Sequence, residues 1–206
     1  MMKSKKHIIF DIGNVLINFS IDKMICKLSE YCNISKKDVE NILNKYSHKY
    51  EMGFLTSIEF FQKFQKISKN NIKPLTLLHH ASDIFEVNHS IIPLLHDLKK
   101  NYNLYLLSNT CEAHFNYLLH KFDFFKIFNE KLLSYEVFLR KPDPHIFHKA
   151  LKVFNISKHE CFYVDDLEEN VNAAKSYGID SEIFVNTEKF KQDLIKRNIF
   201  LKNTPT

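Results

Sequence analysis

Hydrophobic and polar positions follow two different rhythms along this chain. Between residues 19 and 87, apolar side chains recur every three or four positions, which predicts amphipathic helices. Residues typical of helix starts precede the four repeats: Ser20, Ser35, Thr56 and Pro74. No part of this block has the pattern of a strand, so we expect it to be entirely helical.

The rest of the chain alternates short apolar runs with helical repeats. The runs predicted to be strands are 8–10, 104–107, 131–134, 161–164 and 182–185. The predicted helices are 90–100, 112–121, 144–154, 167–177 and one beginning at Thr187. Alternation of this kind predicts an α/β fold with a mostly parallel sheet and helices on both faces. We therefore expect a core formed by residues 1–18 and 88–206, with residues 19–87 inserted as a helical cap.

Composition narrows the class of protein. The 206 residues are 45% hydrophobic and 26% charged, which is typical of a globular chain. The net charge is only +5, with two arginines, so the dense basic stripe of a nucleic-acid-binding protein is absent. Four cysteines without CxxC spacing predict reduced thiols, and no apolar run is long enough for a signal segment or a membrane span. We expect a cytoplasmic protein that binds neither nucleic acid nor membrane.

Polar residues follow four of the strand-like segments. They are Asp11, the pair Ser108-Asn109, Lys141 and the pair Asp165-Asp166. Each alone has an ordinary explanation, since paired aspartates can cap a helix and Lys-Pro-Asp-Pro can begin one. In a parallel sheet, however, such groups converge at one edge.

This combination favours phosphoryl transfer. A carboxylate can attack phosphorus, and neighbouring carboxylates can hold Mg²⁺, which offsets the phosphate charge. A serine hydroxyl can donate to a phosphoryl oxygen, and a lysine can stabilise the developing charge.

The same segments resemble the motifs of the haloacid dehalogenase-like hydrolase superfamily. FDIGNVL is similar to its first motif, LLSNT to the second, RKPDP to the third and FYVDDLEENVNAA to the fourth. The residues of the first and fourth motifs are most similar to those of one branch of the superfamily. That branch includes the N-terminal phosphatase domain of epoxide hydrolases and the bacterial α-glucose-1-phosphate phosphatase. The resemblance implies a Rossmann-like core with a helical cap.

The resemblance also assigns roles. It implies that Asp11 is the nucleophile and Lys141 the lysine of the third motif, and that Ser108 and Asn109 bind phosphate. It implies a Mg²⁺ site formed by Asp11, the backbone oxygen of Gly13 and Asp166, with Asp165 as a further candidate ligand and Asn170 behind them.

Gly13 is the main departure from the family pattern. The chain has only three glycines, so we expect the backbone at this position to require one. Most phosphatases of the superfamily have an aspartate there, which protonates the leaving group. Three interpretations follow: the leaving group needs little help, another residue such as His114 donates the proton, or the site is weakened and the protein acts by binding.

We therefore expect a Mg²⁺-dependent phosphatase of a small phosphorylated metabolite, with sugar phosphates among the candidates. A non-catalytic or weakly active binding protein is the first alternative. A 2-haloacid dehalogenase is the second, although the Asp165-Asp166 pair argues against it because clustered carboxylates need a cation. Cap residues should set specificity, and Phe19, Tyr50 and Phe54 are candidates for the pocket wall.

Overall fold

The computed structural model describes residues 6–199, which form strands and helices in alternation. The strands are β1 (His7–Phe10), β2 (Ile17–Phe19), β3 (Phe85–Val87), β4 (Asn103–Ser108), β5 (Glu130–Leu133), β6 (Cys161–Asp165) and β7 (Asp180–Ile183). The helices are α1 (Ile21–Cys32), α2 (Lys36–Glu51), α3 (Ser57–Gln65), α4 (Pro74–Ser82), α5 (Ile92–Lys99), α6 (Glu112–Lys121), α7 (Ser134–Val137), α8 (Pro144–Phe154), α9 (Glu168–Tyr177) and α10 (Thr187–Lys196). A 3-10 helix spans Asp123–Ile127.

Five strands form one parallel sheet in the order β5-β4-β1-β6-β7. The chain builds outward from β1 to one side through β4 and β5, and then to the other side through β6 and β7. The predicted α/β class and Rossmann-like core are confirmed. In such sheets, ligands bind outside the carboxyl end of the strands where the strand order reverses, which here is the end of β1.

Both faces of the sheet are buried because side chains along each strand alternate between two apolar clusters. On β1, Ile8 and Phe10 belong to the larger cluster and Ile9 to the smaller one. On β6, Phe162 and Tyr163 divide in the same way. A strand buried on both faces is continuously apolar, which explains why the sheet strands appear in the sequence as unbroken hydrophobic runs.

The inserted block contains α1 to α4, and its helices begin where the sequence predicts. The Ser20 and Ser35 hydroxyls accept hydrogen bonds from backbone N–H groups of the first turns of α1 and α2. Thr56 and Glu59 form a complete capping box at α3. The block is therefore built from locally encoded helices that pack on one another, with α1 against α2 and α4.

The prediction that no strand lies between residues 19 and 87 is wrong at the end of the block. Phe85–Val87 forms β3, which pairs antiparallel with β2, Phe19 opposite Phe85. The sequence conceals this ribbon because each strand has three residues and is stabilised only by a partner almost seventy positions away. The proposed division into residues 1–18, 19–87 and 88–206 stays a prediction, and residues 1–5 and 200–206 lie outside the described part of the chain.

Other differences between the predicted and the observed elements occur where pairing with a distant segment determines the bounds of a strand. The last strand was predicted at 182–185, but β7 spans Asp180–Ile183 and pairs Asp180 with Phe162. Val185 is 67% exposed and lies beyond the strand. Helix α7 and the 3-10 helix were not predicted, since segments of four and five residues carry too few positions to show a period.

None of the helices in residues 6–199 has the length and apolar content needed to cross a membrane.

Gly53 follows α2 in a left-handed conformation, with φ of 72°. A Cβ there would lie 2.2 Å from the Tyr135 backbone oxygen, so Gly53→Ala must displace backbone. Gly178→Ala is the matched control because its φ is also positive, but the added Cβ would meet only the flexible Lys158 side chain. We expect Gly53→Ala to lower the free energy of unfolding by about 2–4 kcal/mol, and Gly178→Ala by about 1 kcal/mol. Urea denaturation measures both, and equal losses would contradict the predicted clash.

Candidate active site

Asp11 lies immediately after β1, at the carboxyl edge of the central strand. Its backbone N–H donates to the Val164 oxygen at 3.0 Å, which continues the pairing of β1 with β6. The residue is only 7% exposed. A carboxylate is thus held at the point where the strand order reverses.

Lys141 is a buried cation that links two of the predicted carboxylates. Its Nζ lies 2.8 Å from Asp11 Oδ1 and 2.6 Å from Asp165 Oδ2, and donates to the Leu107 oxygen at 3.0 Å. The Asn109 carboxamide holds the Lys141 backbone at both ends: Oδ1 accepts from the Lys141 N–H at 2.8 Å, and Nδ2 donates to the Lys141 oxygen at 2.9 Å. Asn109 therefore positions the lysine.

The Asp165 carboxylate is surrounded by four donors. Oδ2 accepts from Lys141 Nζ and from the Tyr163 hydroxyl. Oδ1 accepts from the Leu167 N–H at 2.9 Å and from Asn170 Nδ2 at 3.0 Å. Because a carboxylate has about four acceptor sites, Asp165 has no free position for another ligand.

Asp166 is the neighbouring acid with acceptor sites to spare. It is half-buried, and its Oδ2 accepts a hydrogen bond from Asn14 Nδ2 at 2.9 Å. Asn14 reaches this position from a left-handed conformation, with φ of 49°, which asparagine tolerates better than most residues. Ligand oxygens of Asp11, Asp165 and Asp166 all lie within 4.8 Å of one another.

Burial and charge set the protonation of these groups. Burial raises the pKa of Asp11 to about 6, although Lys141 opposes the shift. Burial acts in the same direction on Asp165, but Lys141 and the hydrogen bonds from Tyr163 and Leu167 together outweigh it, so the Asp165 pKa is lowered. Burial would lower the Lys141 pKa, yet the two carboxylates raise it, so the lysine is charged. Burial also raises the pKa of Asp166.

A cavity of about 370 Å³ lies between the helical block and the strand ends. Gly13 and Ser108 contribute to its wall from the core, and Ser108 is the buried last residue of β4. Phe19 and Tyr50 line the cavity as predicted. The prediction for Phe54 is wrong, because its ring is 60% exposed and stacks on Phe138.

The prediction that the backbone requires glycine at position 13 is not supported by its conformation. Its φ is not in the left-handed region; the left-handed residue is Asn14. What restricts position 13 is the Phe19 ring, whose Cε1 would lie 3.1 Å from an added Cβ. A side chain at position 13 would therefore require the Phe19 ring, which is 39% exposed, to shift by a few tenths of an ångström.

His114 also lines the cavity and packs edge-on against Phe85, with ring centroids 5.1 Å apart. Burial lowers its pKa to about 4. The ring is consequently neutral at pH 7 and is a poor proton donor, contrary to one interpretation of the sequence.

Two supporting residues escaped the sequence analysis. Asn14 belongs to the first motif but had no role, and Tyr163 appeared to be only an apolar strand residue. Tyr163 is buried, with its hydroxyl on Asp165. A tyrosine two positions before paired aspartates on a strand lies on the same face as the first of them, which was the available signal.

The chain matches the model of the haloacid dehalogenase-like hydrolase family over residues 5–178. It belongs to this family.

Two curated proteins are similar to the hydrolase. It is 26% identical over 204 residues to a D-ribitol-5-phosphate phosphatase from Bacteroides thetaiotaomicron, covering 92% of this chain and 96% of that protein. It is 28% identical over 199 residues to the drimenol cyclase drtB of Aspergillus calidoustus, covering 94% of this chain. The hydrolase spans only 36% of the cyclase, so this likeness concerns about one third of that longer protein.

Solved structures agree on the fold. A HAD family enzyme from Bacteroides thetaiotaomicron superposes with a TM-score of 0.82 at 25% identity, covering 93% of this chain and 99% of that one. A magnesium complex of that enzyme gives a TM-score of 0.79 at 25% identity, over 92% of this chain and 100% of that one. A 2-haloacid dehalogenase from Pseudomonas syringae shares the fold at a TM-score of 0.61 and 16% identity, over 86% of this chain and 85% of that one.

The lowered pKa of His114 predicts a pH dependence of stability. Between about pH 6.5 and 4 the unfolded chain binds a proton at this residue and the folded chain does not. This contribution to stability is therefore complete above pH 6.5 and is lost as the pH falls toward 4, by no more than about 3 kcal/mol. In denaturant titrations at several pH values, His114→Gln should show a smaller loss over this range than the parent chain.

The exposed His120→Gln is the control and should keep the pH dependence of the parent chain. Parallel curves for the parent chain and His114→Gln would contradict the assignment.

Proposed function

We propose that this hydrolase is a Mg²⁺-dependent phosphatase that acts on a small phosphate monoester through an aspartyl-phosphate intermediate on Asp11. One observation carries the proposal. The buried Asp11 carboxylate lies 2.8 Å from the charged Lys141 Nζ, and the Asp166 carboxylate beside it has free acceptor sites. The arrangement provides a nucleophile, a fixed cation and oxygen ligands at one sheet edge.

Asp11 is suited to attack because Lys141 orients it. The lysine holds Oδ1, which restricts rotation of the carboxylate at the carboxyl edge of the sheet. The carboxylate must be ionised to react, and a cation beside it favours that form. Attack on phosphorus forms the bond from the Asp11 oxygen and breaks the bond to the ester oxygen, which leaves with the electron pair.

The donors available fit a hard divalent cation. Asp11 and Asp166 would supply carboxylate oxygens, and the Gly13 carbonyl, which accepts one hydrogen bond from the Val15 N–H at 2.7 Å, has a second lone pair. Asp165, a candidate ligand by resemblance, is better described as the residue that fixes Lys141. Bound Mg²⁺ supplies charge neutralisation for the phosphate as the carboxylate approaches.

The remaining residues would hold the phosphate and complete turnover. Ser108, at the end of β4, would donate its hydroxyl to a phosphoryl oxygen, while Lys141 stabilises the added negative charge. Asn109 would contribute by fixing Lys141, and its second amide hydrogen is available to the phosphate. Water then attacks phosphorus and returns the Asp11 carboxylate.

The relatives support this reaction over dehalogenation. A similar protein is a D-ribitol-5-phosphate phosphatase, and a HAD family enzyme of the same fold has been solved with magnesium and inorganic phosphate. Dehalogenation uses no cation, yet Asp166 lies within 4.8 Å of two other carboxylates. Repulsion among these groups favours the reaction in which a metal ion offsets it.

Asp11→Asn tests the nucleophile. An amide cannot form the acyl phosphate, so hydrolysis of acetyl phosphate in Mg²⁺ should fall by at least about 10³-fold, measured as phosphate release. Asp123→Asn is the matched control, since this exposed aspartate lies in the 3-10 helix and should retain full activity. Full activity of the parent chain in a metal chelator would reject the metal dependence, and the absence of turnover with unimpaired phosphate binding would favour the binding-protein alternative.

Asp165→Asn and Asp166→Asn separate the two acids of the fourth motif. Asp166→Asn should fold normally and need at least about tenfold more Mg²⁺ for half-maximal activity, because one ligand loses its charge. Asp165→Asn places an amide N–H group against existing donors, so it should lower the free energy of unfolding by about 2 kcal/mol or more. Metal titration and urea denaturation of both variants distinguish the roles, and an exchange of the two phenotypes would refute the assignment.

A further inference from the structure

We infer that the preferred substrate is the phosphate monoester of an uncharged, apolar aromatic alcohol. The inference rests on the proposed function and adds the chemical class of the group that is released. Two observations carry it: the composition of the cavity wall, and the lack of an acid at position 13, two residues after Asp11.

The cavity wall offers no partner for a second anionic group. Among the described residues that line it, none is lysine or arginine. Its acidic side chain, Glu51, already pairs with Arg140 at 3.5 Å. A carboxylate or a second phosphate on the substrate would therefore lose its hydration without a compensating cation.

The wall is also poorly suited to a sugar or polyol. Four aromatic side chains contribute to it: Phe19, Tyr50, Phe60 and Phe85. The Tyr50 hydroxyl is already bonded to Ser57 at 2.8 Å. Aliphatic side chains such as Leu43 and Leu78 cover much of the rest. Polar side chains of α2, among them Asn44, Ser47 and His48, could pair with some hydroxyls of a polyol. Along the aromatic and aliphatic part of the wall such hydroxyls would be unpaired, whereas an aromatic ring would gain apolar burial and ring contacts. The volume of about 370 Å³ is at the lower end of ligand sites and accommodates a bicyclic ring system.

The second observation concerns the leaving group. Position 13 carries no acid, and the Phe19 ring occupies the space beside it. His114 is neutral at pH 7. The other titratable side chains of the wall are His48, Tyr50 and Glu51, all on α2, and the Cys111 thiol. Burial raises the pKa of Tyr50 and Cys111, and Glu51 pairs with Arg140. Because position 13 beside Asp11 carries no acid, we expect the ester oxygen to leave as an anion.

An aryl oxide can leave in this way because a phenol has a pKa near 10, far below that of an aliphatic alcohol. The Asp11 oxygen bonds to phosphorus, the phosphorus–aryl oxygen bond breaks, and the aryl oxide takes the electron pair and a proton from water. A second water then cleaves the acyl phosphate, which releases phosphate and restores Asp11. The cavity and the missing acid thus select the same class of ester.

A substrate series separates the contributions. With Mg²⁺, kcat/KM for 1-naphthyl phosphate should exceed that for 1-naphthylmethyl phosphate by at least about 10²-fold, the usual effect of general acid catalysis. Phenyl phosphate should exceed 4-carboxyphenyl phosphate and ribitol 5-phosphate by about tenfold or more. Acetyl phosphate, which is small and needs no proton donor, reports on the phosphatase chemistry itself.

A matched pair of variants on α4 tests whether the cavity wall favours an apolar substrate. Leu78 lines the cavity, and Leu75, three residues earlier, is 83% exposed. Leu78→Gln should reduce the ratio of kcat/KM for 1-naphthyl phosphate to that for acetyl phosphate by at least about fivefold. Leu75→Gln should leave this ratio unchanged.

The outcomes distinguish the inference from the function on which it rests. If acetyl phosphate is not hydrolysed in Mg²⁺, the proposed function itself fails. If acetyl phosphate is hydrolysed but ribitol 5-phosphate or 4-carboxyphenyl phosphate is preferred to the aryl esters, only the substrate class is overturned. Equal rates for the naphthyl and naphthylmethyl esters would reveal a proton donor and overturn the leaving-group argument, and an unchanged ratio in Leu78→Gln would overturn the role of the wall.

Discussion

The buried contact of Lys141 with Asp11 and Asp165 is the constraint on which the rest of the site depends. A charged amine that is 1% exposed is tolerated only because two carboxylates and a backbone oxygen surround it. The lysine in turn keeps one carboxylate in place for chemistry and makes the other a permanent ion-pair partner. One interaction therefore both orients the proposed nucleophile and affects which acids remain available to a metal ion.

The hydrogen-bond acceptor sites of Asp165 and Asp166 show this difference between the carboxylates. Asp165 has all of its acceptor positions filled by protein donors, two of them from Tyr163 and Asn170. Asp166, one residue later, accepts a side-chain hydrogen bond from Asn14 and keeps acceptor sites to spare. Adjacent aspartates can thus perform opposite tasks, because consecutive side chains at a strand end alternate in direction.

The connection between the helical block and the core limits the space beside Gly13. The β2–β3 ribbon joins it to the core, and Phe19, on that ribbon, covers Gly13. The same strand pairing that returns the chain to the core therefore places the Phe19 ring close to position 13. The cavity wall and the space beside position 13 thus share one element, the Phe19 ring.

Much of this could be predicted from the sequence. The runs 8–10, 104–107 and 161–164 are buried strands because their residues are apolar at every position, and the caps at Ser20, Ser35 and Thr56 begin helices because a hydroxyl satisfies local N–H groups. The convergence of Asp11, Lys141 and the aspartate pair followed from the parallel sheet. These features depend on local chemistry or on a general rule of topology.

What the tertiary structure alone decided depends on distant partners. The ribbon of Phe85–Val87 with β2, the register of β7 and the ion pair of Lys141 with Asp165 each join segments that the sequence separates. The reason for Gly13 is of the same kind: the sequence determined that no acid stands there, and only the fold brought the Phe19 ring against it. A residue type is fixed in the chain, but the space around it exists only once the chain has packed.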